Sequence, residues 1–208
     1  ALYAAGTTGP ATPADATQTT LDRPPPTLTL AQASGQADPT NATPIQFTLS
    51  GNENLDSATI LAADFTIGNG TVASITGSGS SYTINVTPSG QGAVTITPSG
   101  TFSVSDPAGN AATTAGGSDR SVTYDTVAPT VSWSNTPSSP NKNTSVTYTL
   151  TFSESVTGVA AGDLTNLGSA TGCSFSPSAS GGTSFTITIT SCSEGTLLPR
   201  FAANGATD

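Results

Sequence analysis

Ile45-Gln46-Phe47-Thr48-Leu49 alternates strictly between apolar and polar side chains, as do Thr27-Leu28-Thr29-Leu30 and Tyr82-Thr83-Ile84-Asn85-Val86. A period of two puts every second side chain on one face, so each run reads as a β-strand with one buried side. The pattern returns downstream in Val131 and Trp133, then in Val146, Tyr148, Leu150 and Phe152, and again in Phe185, Ile187 and Ile189. Gly68-Asn69-Gly70, Gly77-Ser78-Gly79, Pro88-Ser89-Gly90, Pro98-Ser99-Gly100 and Pro177 to Gly182 lie between the runs and supply the positive or fixed φ of tight turns. Only Leu55 to Asp64 and Val159 to Leu164 carry a helical hint, each short enough to be a single turn in a connection. About seven strands per unit of about 100 residues predicts an all-β chain of two tandem immunoglobulin-like antiparallel β-sandwiches. Trp133 matches Leu30 on the first strand of its unit and reads as a core plug.

The boundaries of the units are permuted. Ala5-Gly6, Asp22 and Pro26-Thr27 recur as Ala108-Gly109, Asp125 and Pro129-Thr130, 103 residues later in each case. The expected organisation is an overhang at 1–22, a first repeat at 23–125 and a second at 126–208. Pro107 to Tyr124 supplies the closing strand of the first repeat. Residues 1–22 match such a strand, and the second repeat is expected to lack its own. The chain contains no Met, so it reads as a processed product or a piece of a longer polypeptide.

Charged residues are 8% of the chain, and thirteen acids face only Arg23, Arg120, Lys142 and Arg200, for a net charge of −9. That balance offers no basic patch for phosphates, and nucleic acid is not an expected partner. No apolar run approaches the roughly 20 residues that cross a bilayer, so membrane insertion is not expected. Cys173 and Cys192 flank two apparent strands, and a disulfide between them is expected, worth about 3 kcal/mol and requiring an oxidising compartment. With no His, Ser-His-Asp and Cys-His nucleophiles and His-containing zinc sites are ruled out. Carboxylate pairs such as Glu154 with Asp163, or Asp106 with Asp125, remain, but acids at strand ends are usually turn residues, and no enzyme is expected. Asn41, Asn69, Asn85 and Asn143 each open an Asn-x-Ser/Thr triplet, a number expected by chance in a chain this rich in Ser and Thr.

Phe152-Ser153-Glu154-Ser155-Val156, Ala161-Gly162-Asp163-Leu164, Asp106-Pro107-Ala108-Gly109-Asn110 and Tyr124-Asp125-Thr126-Val127-Ala128-Pro129-Thr130 occur in an order that resembles the bacterial immunoglobulin-like repeats of large secreted surface proteins and adhesins. The resemblance covers almost the whole chain and implies an extracellular, cell-surface setting. It also implies a calcium site at the middle junction, to which Asp106, Asn110, Asp125 and Glu154 would contribute. The competing reading is that these residues only make turn bonds. The first unit departs from the pattern with Leu49-Ser50-Gly51-Asn52-Glu53 where the second has Phe152-Ser153-Glu154, so no ligand site is carried over to it.

A β-sandwich without its last strand leaves sheet edges open to another chain. The overhang of one molecule filling the gap in the next would give a non-closing, head-to-tail polymer, a filament or adhesive fibre built by donor-strand complementation. Leu2, Tyr3 and Ala5 are the expected donor side chains, and Leu197, Leu198 and Phe201 the expected lining of the acceptor groove. The alternatives are a fragment of a long tandem-repeat adhesin and, behind it, a calcium-rigidified ligand-binding module. The receptor is not legible.

Overall fold

A computed structural model describes residues 21–208. The described residues are all-β and divide into two compact units, 21–126 and 127–208. The division falls one residue after the expected junction.

In the first unit, β1 (Leu28–Gln32), β2 (Ile45–Gly51), β5 (Ser81–Pro88) and β4 (Gly70–Ser78) form one antiparallel sheet in that order. β3 (Phe65–Gly68), β6 (Gly92–Pro98) and β9 (Ser121–Tyr124) form a second, and β7 (Val104–Ser105) pairs with β8 (Ala111–Ala112). The alternation seen in sequence sets the register: Leu30 faces Leu49, and Phe47 faces Ile84. Every second side chain then meets the other sheet, and Leu30, Phe47, Leu49, Ile84, Val94, Ile96 and Val122 share one core. Two short 3₁₀ turns, Ser57–Thr59 and Ala62–Asp64, occupy the helical hint. Asp64 caps the second, its Oδ2 accepting the Leu61 N–H at 2.7 Å. Asn69 adopts φ 56°, as its turn requires, and donates its amide to Gly90 O at 2.7 Å.

In the second unit, β10 (Val131–Ser134), β11 (Ser145–Thr157), β14 (Gly181–Thr190) and β13 (Ser174–Pro177) repeat the first sheet strand for strand. Trp133 faces Leu150 as Leu30 faces Leu49. A 3₁₀ turn at Ala161–Asp163 leads into β12 (Leu164–Asn166), which pairs with β15 (Pro199–Phe201). Phe152, Leu150, Phe185, Ile187 and Ile189 form the core, with Phe152 edge-on to Phe185 at 5.7 Å and to Phe201 at 5.4 Å. Trp133 is half-buried and packs against this core, edge-on to Tyr148 at 6.1 Å.

The closing segment also differs from expectation. One strand over Pro107 to Tyr124 is expected, but only Ala111–Ala112 and Ser121–Tyr124 are strand. Asp-Pro-Ala-Gly breaks the start as a turn, and Gly116-Gly117 crosses from one sheet to the other.

Candidate functional site

The closing segment of the first unit stitches its two sheets together. Gly116 lies parallel to β1, donating its N–H to Leu28 O at 2.8 Å and accepting the Leu30 N–H at 2.9 Å. Gly117 has φ 106°, and a Cβ there would stand 2.1 Å from Leu30 O, so only glycine permits this approach. Arg120 then donates Nε to Leu30 O at 3.1 Å and Nη2 to Ala115 O at 2.6 Å, which locks the crossing. From there β9 runs antiparallel to β6, setting Val122 opposite Val94, and Ile96 donates its N–H to Arg120 O at 3.0 Å.

The second unit presents the same two edges without that cover. Among the described residues β10 pairs only with β11, and β15 only with β12. Phe65 and Leu164 each follow a 3₁₀ turn and face Pro98 and Phe201 respectively. Val94, Thr95 and Ile96 therefore correspond to Leu197, Leu198 and Pro199. Burial falls at each edge: Leu28 is 3% exposed but Val131 45%, and the fully buried Val94 and Ile96 give way to half-buried Leu197 and Pro199.

Of the expected groove residues, Leu197 and Phe201 pack on the core of the second unit. Leu198 does not: alternation turns it outward, and it is 59% exposed. Its backbone is held on the β12 side, the N–H donating to Asn166 Oδ1 at 2.7 Å and the carbonyl accepting the Leu167 N–H at 2.9 Å. The expected donor residues Leu2, Tyr3 and Ala5 lie outside the described residues. The disulfide is present, Cys173 to Cys192 with Cα atoms 4.2 Å apart, tying the start of β13 to the end of β14. Disulfides persist in oxidising compartments. No described helix is long and apolar enough to cross a membrane.

An acid cluster sits within the first unit. Asp106 is buried, its Oδ1 accepting N–H groups of Ala108 at 2.8 Å and Asn110 at 2.9 Å, its Oδ2 the Asn110 amide at 2.7 Å. The Asn110 side chain, with these backbone donors, holds the carboxyl below its usual range in spite of burial. The same amide reaches Asp22 O at 3.3 Å, bringing the junction residue close. Carboxylate oxygens of Asp22, Glu53 and Asp106 lie within 4.8 Å of one another. Burial first, then the charges of Asp22 and Asp106, push the Glu53 carboxyl up.

The sequence reading groups Asp106 and Asn110 with Asp125 and Glu154, whereas the acids gathered at Asp106 are Asp22 and Glu53. The signal for Asp22 was its match to Asp125. Glu53 hides behind a shift in spacing that the strand registers resolve, since Leu49 corresponds to Leu150 and Glu53 therefore to Glu154. Three carboxylates suit calcium in ligand type and would supply part of its six to eight oxygens. The turn bonds at Asp106 and Asn110 are likewise real, so the competing reading holds for those two residues.

Asp163 is committed to its own turn, its Oδ2 accepting the Ala160 N–H at 2.8 Å. Asn85 is buried, bonded to Gln46 and Ser74, and Asn69 spends its amide in its turn, whereas Asn41 and Asn143 are exposed. Compared with family models, curated proteins and solved structures, the chain matches none.

Proposed function

We propose that the chain is a non-enzymatic structural protein of the extracellular cell surface, two tandem immunoglobulin-like β-sandwiches that assemble head to tail by donor-strand complementation. One observation carries this reading: edges that a closing segment covers in the first unit have no partner in the second among the described residues. Uncovered strands seek main-chain partners, and an inserted strand would also bury Leu197. Deleting residues 1–20 is expected to yield molecules that remain monomeric in electron micrographs of material that otherwise forms filaments. Filaments from the truncated chain would overturn the mechanism.

A fragment of a long tandem-repeat adhesin is the alternative, in which the covering strand follows covalently. Intact mass separates the two: native material near 20.4 kDa supports a subunit, and a far heavier chain the adhesin. The convergence of Asp22, Glu53 and Asp106 favours a further property compatible with either, calcium-dependent stiffening of the first unit.

A further inference from the structure

We propose that the strand entering the second unit is Gln18–Leu21 of a second copy, antiparallel to Gly195–Leu198, with Gln18 opposite Leu198 and Thr19 opposite Leu197. The contact ends there and leaves β10 bare. This inference rests on the assembly reading above and gives it a register.

The acceptor side follows from backbone alternation. In β6, Thr95 pairs toward β3 while Val94 and Ile96 turn toward β9. Leu198 stands in the place of Thr95, and its N–H and carbonyl are already used on the β12 side. Leu197 therefore directs its backbone groups to the other edge, as Val94 does toward Val122.

The donor side follows from the 103-residue period. Thr20 matches Thr123 and Asp22 matches Asp125 without a gap, which carries Ser121–Tyr124 onto Gln18–Leu21. Thr19 takes the inward place of Val122, and Leu21 that of Tyr124. The expected donors Leu2, Tyr3 and Ala5 fall instead on Ser105, Asp106 and Ala108, in β7 and the turn after it, away from both paired edges.

The limit of the contact follows from three substitutions within the repeat. Pro13 replaces Gly116 and has no N–H for the bond that Gly116 makes to β1. Ala14 replaces Gly117, where a Cβ meets a β1 carbonyl at 2.1 Å. Thr17 replaces Arg120 and loses the guanidinium that locks the crossing. The half of the closing segment that covers the first sheet cannot be reproduced, while the β9 half can. Pro199 in place of Ile96 removes the next ladder donor, so the pairing is short on the acceptor side as well.

Gln18 and Leu198 correspond to Ser121 and Thr95, a non-hydrogen-bonded pair, whose Cα atoms stand about 4.5 Å apart, within disulfide reach. The chain with Gln18→Cys and Leu198→Cys, mildly oxidised, is expected to give a ladder of multimers on a non-reducing gel that collapses on reduction. The described native cysteines are already paired and do not compete. Leu2→Cys with Leu198→Cys is expected to stay monomeric. A ladder from the Leu2 pair and none from the Gln18 pair overturns the register while leaving assembly standing. A cross-link confined to the monomer overturns the second copy as donor, and a wild-type chain that forms no filaments removes assembly itself. Trp133 emission is expected to be unchanged on assembly, and a blue shift would overturn the bare β10 edge.

Discussion

The two units share a first sheet and differ in how the second is finished. In the first, three strands and a crossing loop enclose Leu28, Leu30, Val94 and Ile96. In the second, the corresponding Val131, Trp133, Leu197 and Pro199 are exposed or half-buried beside a two-stranded sheet, and a disulfide ties β13 to β14. Among the described residues, a single short segment thus separates the enclosed edges of the first unit from the more exposed edges of the second, because it covers one edge of each sheet.

The largest test of that contrast is a matched pair of truncations. Ile96→Ala is expected to destabilise the first unit by about 3 to 4 kcal/mol, as a cavity in an enclosed core does, and Leu197→Ala the second by only about 1. Hydrogen exchange resolves the units, and equal costs would mean that the second unit's edge is covered. Next in size, Cys173→Ser with Cys192→Ser should cost the second unit about 3 kcal/mol and leave exchange in the first unchanged.

Calcium sharpens the contrast from the other side. At about 100 times its dissociation constant it should stabilise the first unit by about 2.7 kcal/mol, an effect that chelator reverses and Glu53→Gln reduces. A thermal midpoint indifferent to chelator would remove the ion. Asn110→Ala is expected to cost about 1 to 2 kcal/mol in the first unit, since Asp106 loses its side-chain donor, with the Asp106 carboxyl titrating higher by NMR.

The smallest effect is on pH dependence. Glu53 has a raised folded pKa, so it takes up a proton more readily when folded, and stability rises slightly as pH falls toward its ordinary 4.5. Asp106 has a lowered one, so its contribution is whole above its ordinary 3.8 and is lost as pH falls through the lower folded value. Glu53→Gln should abolish the first phase and keep the second, as read from thermal midpoints across pH.

Much of the fold was legible because alternation is local. Ile45 to Leu49 and Phe185 to Ile189 reveal their buried face without reference to any partner, and both lie in central strands of their sheets. β9 was harder: it is only four residues long, and the Gly116-Gly117 crossing before it has no periodicity to read. The direction of Leu198 was hidden for a related reason, since an apolar pair such as Leu197-Leu198 cannot say which member faces inward until the pairing of β12 with β15 is known. At the acid cluster, Asp106 and Asn110 lie four residues apart in one turn and could be seen together, whereas Glu53 reaches them only through the fold.

The sequence by itself determined the all-β class, the recurrence of residues 103 positions apart and the cysteine pair, because each rests on spacing along the chain. Tertiary structure alone decided which edges are covered, which of two adjacent leucines points inward, and that Asp22 and Glu53 join Asp106. Those outcomes depend on strand register and sheet-to-sheet approach, which bring together residues whose separation in sequence carries no trace of their contact.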